Sequence, residues 1–225
     1  MDKDLKYLHW NQETITDFSD ENISKMYENG FVFTRLDKGL MHQTRSVRIN
    51  ISKFTLSSEN KRILKKTADL VLTAAELPLL NYDYRLGKLA KDFFENKFGH
   101  GIMSAQKIKE MLTDPVKSNF NLLLTYLQES STGYAICFAN NTLLHYSYPF
   151  YDLNGAQKDI GLGMMVRAIN FAVEQKKKYV YLGSLQRPGD TYKLQFDGLE
   201  WFDGSKWQDD IETVKKILAS LKINQ

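Results

Sequence analysis

The segment Lys158-Asp159-Ile160-Gly161-Leu162-Gly163 places two glycines ahead of an amphipathic stretch and the short apolar run Tyr179–Gly183. Glycine lets a backbone approach a ligand closely, and a helix N-terminus offers unpaired N–H groups and a positive dipole end to phosphate. The turn therefore suits either a phosphate-bearing ligand or tight packing without one, and a pattern this short leaves both readings open. Asp159 would repel a phosphate. A second candidate is the basic cluster Arg45, Arg48, Lys53, Lys61, Arg62, Lys65 and Lys66, which falls within 22 residues and is opposed only by Glu59. Such a patch can attract a phosphate backbone or simply form a solvated helix face. His145 alternates with Leu144 and Tyr146 on an apolar run, a setting that reads as structural. Cys137, in "YAICFA", reads as a buried, inert thiol, and Trp201 and Trp207 as hairpin packing.

The elements that position these residues follow from local pattern. Phe31–Leu36 and about Met41–Ile51 read as two strands joined at Asp37-Lys38-Gly39, with Val47, Ile49 and Ile51 on one face and Arg48 and Asn50 on the other. Ser57 or Ser58 can cap a following helix whose apolar stripe is Ile63, Leu64, Ala68, Val71 and Leu72. Further helices are expected over Tyr84–Phe98, closed by Gly99, and over Ser104–Leu112. Runs at about 120–128, 133–139 and 142–150 form an antiparallel meander, with turns at Ser130-Ser131-Thr132-Gly133 and Asn140-Asn141.

After the glycine turn, Leu162, Met165, Val166, Ile169, Ala172 and Val173 make a helical stripe, with Arg167, Asn170 and Glu174 facing away. The Tyr179–Gly183 strand follows a helical crossover, so it should lie parallel to the strand before it. A hairpin about Asp203-Gly204 and a helix over about 209–221 close the chain.

Composition narrows the class. The 225 residues are 43% hydrophobic and 25% charged, ordinary for a globular chain, with a net charge of +3 that does not by itself imply nucleic acid. One cysteine excludes an intramolecular disulfide and a Cys-based zinc or iron–sulfur site. The charged start "MDKDLKYLHW" has no apolar signal core, and no run reaches the roughly 18 apolar residues of a membrane span. The expectation is a cytoplasmic, single-domain protein of α/β (α+β) class without a membrane partner.

The element order resembles that of the GNAT acyltransferase fold, a mixed sheet with helices on both faces, here with an N-terminal hairpin extension. Lys158 to Gly163 is similar to the [Arg/Gln/Lys]-x-x-G-x-G turn of that fold. Two longer stretches resemble the arginyl-tRNA–protein transferase family more specifically. "VRINISKFTLSSENKRILKKT" (Val47–Thr67) resembles its P/V-x-R-I strand and basic helix start. Tyr148–Trp207 resembles its C-terminal half, with "YPFYD", "YVYLG", "YKLQFDGLE" and a closing "GSKW". The Tyr-Lys-x-x-Phe element is also similar to Fem-type aminoacyltransferases. The family's cysteines ahead of the first strand have no counterpart in "LDKGLMHQTRS", so the resemblance is to a minimal relative lacking the N-terminal cysteine domain.

The resemblance implies transfer of an amino acid, arginine or similar, from charged tRNA to an amine, usually an acidic protein N-terminus, as in N-degron marking. Partners would be tRNA and an acceptor protein or peptide N-terminus, with no cofactor beyond the aminoacyl-tRNA donor. An aminoacyl ester is already activated, and an α-amine of pKa near ~8 is partly neutral at pH 7, so no strong base is required. Motif matching then implies that Arg48, Lys61 and Arg62 meet tRNA phosphate or an acidic acceptor. It implies that Tyr192 and Lys193 approach the ester, that Asp152 meets the donor's cationic groups or caps a turn, and that Gly161 and Gly163 keep backbone access. Two alternatives stay open: an acetyl-CoA-dependent N-acetyltransferase, and a non-catalytic tRNA- or protein-binding relative.

Overall fold

The computed structural model describes residues 7–128, 131–154 and 158–221. The start of the 130–133 turn and Gln157, next to the glycine motif, lie outside the described residues. The strands are β1 (Asn11–Thr14), β2 (Phe31–Phe33), β3 (Leu40–Gln43), β4 (Ser46–Asn50), β5 (Val71–Glu76), β6 (Leu122–Gln128), β7 (Ser131–Ala139), β8 (Leu143–Tyr151), β9 (Tyr179–Ser184), β10 (Leu199–Phe202) and β11 (Trp207–Gln208). The helices are α1 (Asp20–Glu28), α2 (Ser58–Lys66), α3 (Tyr84–Phe98), α4 (Ala105–Thr113), α5 (Ile160–Glu174) and α6 (Ile211–Ser220), with a 3₁₀ segment at Pro188–Gln195.

Eight strands form the main sheet in the order β11-β10-β4-β9-β8-β7-β6-β5, and β1-β3-β2 form a small second sheet. All adjacent pairs are antiparallel except β8 and β9, which run parallel, as the helical crossover through α5 requires. Both faces of the sheet are buried. Ala135, Cys137, Leu144, Tyr146 and Val180 enter one core with residues of α2, α5 and α6. Ile136, Phe138, Leu143, Tyr179 and Tyr181 enter a second core with residues of α1, α3 and α4. The period of two along each strand thus distributes apolar groups to both sides.

Local chemistry explains the boundaries that match expectation. Ser57 accepts from Asn60 N–H in a reciprocal capping box at α2, and Ser104 and Asp83 cap α4 and α3. Gly99 ends α3 at φ +100°, a conformation that favours glycine.

Three expectations need correction. The strand over Met41–Ile51 is two strands, because the chain leaves the small sheet at Thr44 and enters the large one at Ser46. Thr44 N–H donates to Gly30 O at 3.3 Å, and Leu185 N–H donates to Arg45 O at 2.9 Å, which fixes that crossing. Val71 and Leu72 are not on a helix stripe but open β5, paired with Leu127 and Tyr126. Arg167 does not face away: it is half-buried and donates to Leu70 O at 2.6 Å, to Thr67 Oγ1 at 3.0 Å and to Thr67 O. Those carbonyls lie at the end of α2, so the guanidinium takes the acceptors a continuing helix would have used. The segment before Phe31, without an assignment in the pattern reading, contributes β1 and α1.

Candidate functional site

The parallel pair β8 and β9 is registered only at Leu143–Tyr179, Leu144–Val180 and His145–Tyr181. Beyond these positions β8 stays with β7, while β9 continues with β4 as far as the Ser46–Ser184 pair. The strands splay, and a cleft of about 1280 Å³ opens between them. This splayed meander-helix-strand arrangement is the one expected from the element order.

The cleft has an apolar wall and a charged floor. Phe93, Phe94 and Phe98 of α3 and Val32 and Phe33 of β2 line one side, and Ile160, Gly161 and Leu162 of the first turn of α5 line another. Asp159 precedes that turn in left-handed conformation (φ +74°) and makes no side-chain cap bond, so the first N–H groups of α5 are left to the cleft. Five cations, Arg35, Lys97, Lys158, Arg187 and Lys193, line the described cleft against two carboxylates, Asp159 and Asp190. Both carboxylates are engaged. Asp159 pairs with Lys66 at 3.2 Å and Arg62 at 3.8 Å, and Asp190 accepts from Gln186 N–H at 2.7 Å and Arg187 N–H at 2.9 Å.

The structure brings some sequence-predicted residues to the cleft and takes others away. Lys193, on the 3₁₀ segment, lines the floor and donates from Nζ to Ser184 O at 2.9 Å. Burial lowers its pKa, with Asp190 opposing. Tyr192 also lines the cleft; protein packed around its hydroxyl pushes its pKa up to about 12, although 48% of the residue remains accessible. It is a protonated donor at neutral pH.

Gly161 lines the cleft, and a Cβ there would lie 3.2 Å from the Tyr151 ring. Gly163 does not line it: its absent Cβ would meet Thr67 Oγ1 at 2.7 Å, so this glycine permits α2 and α5 to touch. Asp152 is likewise outside the cleft lining, and its Oδ1 accepts from Asn154 N–H at 2.9 Å, closing the turn after β8.

Arg48 is the largest correction. Only 6% exposed, it sits with its guanidinium carbon 3.9 Å from the ring centres of both Tyr179 and Trp207. It donates to Glu200 at 2.8 Å and to Tyr181 Oη at 3.3 Å. A guanidinium stacked and paired in this way is withdrawn from any phosphate. Lys61 and Arg62 are exposed on α2, outside the cleft lining, and Arg62 also pairs with Glu59.

Pattern reading missed the aromatic wall of α3, the cations Arg35, Lys97 and Arg187, and the cleft position of His145. Arg187 was within reach of inference, five residues ahead of Tyr192 in "RPGDTY". The others carry no local mark. Among the described residues no His, Cys, Asp and Glu cluster is suited to a metal, and no helix is long and apolar enough to cross a membrane.

No family model matches the chain. The chain is similar to the aspartate/glutamate leucyltransferase of Ruegeria pomeroyi, 28% identical over 170 residues, covering 72% of this chain and 61% of that protein. That of Pseudoalteromonas atlantica is 22% identical over 223 residues, covering 90% of this chain and 92% of its own length. The chain thus matches under two thirds of the first relative's length. Among solved structures, L-PGS from Bacillus licheniformis aligns with a TM-score of 0.46 at 10% identity, over 88% of this chain and 70% of that one.

Proposed function

We propose that the chain is an aminoacyl-tRNA-dependent aminoacyltransferase that moves an amino acid from charged tRNA to the α-amine of an acidic protein N-terminus in the cytoplasm. The observation that carries this reading is the splay of β8 and β9 around a cleft with the Lys193 amine at its floor. The similarity to leucyltransferases supports it.

In this reaction the acceptor amine attacks the ester carbonyl, and Lys193 and Tyr192 donate to the oxygens on which negative charge develops. Such preorganised donors supply much of the rate for an activated ester. The cleft cations suit an acceptor carboxylate or the terminal phosphates of the tRNA. The donor side chain is apolar rather than a guanidinium: the cleft wall is aromatic, and the two described cleft carboxylates are already paired. This favours a leucyl-type donor over arginine.

The acetyl-CoA alternative gains less support. Gly163 serves contact with α2, and Asp159 stands where a pyrophosphate would approach.

The test supplies the protein with leucyl-tRNA, arginyl-tRNA and labelled acetyl-CoA, and follows label into peptides beginning with Asp, Glu or Ala. Leucyl transfer to the Asp and Glu peptides is expected, falling on the order of 10²-fold in Lys193→Ala. Label arriving only from acetyl-CoA overturns the reading. Binding of uncharged tRNA without transfer points to a non-catalytic relative.

A further inference from the structure

His145 occupies the last registered position of the parallel pair, at the point where β8 and β9 part, and it lines the cleft. Its Nδ1 lies 2.9 Å from Tyr27 Oη. Tyr27 is 0% exposed, and its oxygen accepts from Phe33 N–H at 3.3 Å. Among the described residues the Tyr27 hydroxyl has no other acceptor, so its proton has only Nδ1 to go to. Leaving a buried O–H without a partner costs about 1–3 kcal/mol, which forces Nδ1 to be the unprotonated nitrogen.

A neutral imidazole whose Nδ1 accepts must carry its proton on Nε2. The imidazole is neutral because burial, with Lys193 close by, drives its pKa down to about 3. Nε2 has no hydrogen-bond partner among the described residues. The residue is only 1% exposed, and the surface it keeps lies against the cleft that it lines. Packing also holds the ring. Tyr27 lies edge-on at 5.6 Å, Phe120 lies at 6.5 Å, and Phe138 and Tyr181 are its cross-strand partners.

We propose that His145 presents a fixed Nε2–H donor to the carbonyl oxygen of an acyl ligand at the cleft floor, with Tyr27 as the positioning residue that sets its tautomer. The role rests on the aminoacyl-transfer reading. As the amine attacks, the new C–N bond forms, the ester C–O bond breaks, and the amine's proton leaves on the ribose oxygen. His145 keeps its own proton throughout and holds the oxyanion from one side while Lys193 approaches from another.

The experiment has three arms. ¹⁵N-histidine NMR of the free protein should show His145 as the Nε2–H tautomer, and Tyr27→Phe should admit the Nδ1–H form. Saturation with 3′-leucylamido-3′-deoxyadenosine, which carries an amide carbonyl in place of the ester, should shift the Nε2–H proton downfield. In transfer assays His145→Gln, whose amide nitrogen reaches the Nε2 position, should keep kcat within about 10-fold. His145→Asn, whose amide reaches only Nδ1, should lose on the order of 10²-fold in kcat with little change in KM. An Nδ1–H tautomer in the wild type, an unmoved Nε2–H at saturation, or equal activity of the Gln and Asn variants overturns the proposal. If the protein transfers nothing from tRNA, the function fails, while the tautomer and ligand-shift arms still decide for or against the donor.

Discussion

Two cations touch β9 and have opposite fates. Arg48 pairs across from Tyr181, is sandwiched by two rings, and meets Glu200 through two guanidinium nitrogens at 2.8 Å each. Burial pushes the Glu200 carboxyl up, but Arg48, with Asn50 and Lys53, more than offsets this and holds it below the usual carboxylate range. Lys193 reaches the other end of β9 with, among the described residues, only the Ser184 carbonyl in hydrogen-bond contact, and burial lowers its pKa. A cation whose charge is answered by a carboxylate and whose faces are covered by two rings is a structural latch joining β4, β9 and β10. A cation left short of a counter-charge at the floor of an open cleft is available for chemistry.

Removing the partner of Arg48 and the amine of Lys193 breaks the comparison if it is wrong. Glu200→Ala strands the Arg48 charge and should cost about 3–5 kcal/mol of stability in denaturant unfolding, without changing the transfer rate per folded molecule. Lys193→Met removes an incompletely answered amine and should leave the unfolding midpoint unchanged or raised. Equal destabilisation of the two variants would erase the distinction.

The glycine pair sharpens the same contrast on a smaller scale. Gly163→Ala drives a methyl into Thr67 and should destabilise by about 1–3 kcal/mol, because backbone and side chain on both helices must move. Gly161→Ala meets only the edge of the Tyr151 ring at 3.2 Å, so a smaller stability loss with a rise in KM is expected. Chemical denaturation and steady-state kinetics separate the two.

The last effect is a pH dependence. The His145 pKa falls from 6.5 to about 3 on folding, so between those values the unfolded chain binds the extra proton. Stability is therefore lost as pH drops below about 6.5, at up to about 1.4 kcal/mol per pH unit from this one group. Comparing wild type with His145→Gln from pH 7 to pH 4 should show the shallower slope in the variant.

Elements marked by local chemistry were legible in the sequence. Helix α3 runs over Tyr84–Phe98 with Gly99 at its end, the three-stranded meander lies within a few residues of expectation, and β9 is parallel to β8. In each case caps, turn residues and periodicity act within a few positions of the chain. The break between β3 and β4 was not legible, because alternation continues through Thr44 and Arg45 while the strand changes sheets. Nor was β5, since its apolar residues also continue the helical spacing of α2 until Arg167 claims the carbonyls that end the helix.

The site divides along the same line. Sequence by itself determined which groups with chemistry exist: the Tyr192-Lys193 pair, the glycine turn and a basic stretch that includes Arg48. Tertiary structure alone decided which of them face the cleft. Arg48 turned inward because Glu200, Tyr179 and Trp207 converge on it from three other strands, contacts that no local pattern encodes. His145, read as structural from its strand neighbours, reached the cleft because β8 and β9 part company beside it, and Tyr27 from a distant helix then decides which of its nitrogens carries the proton.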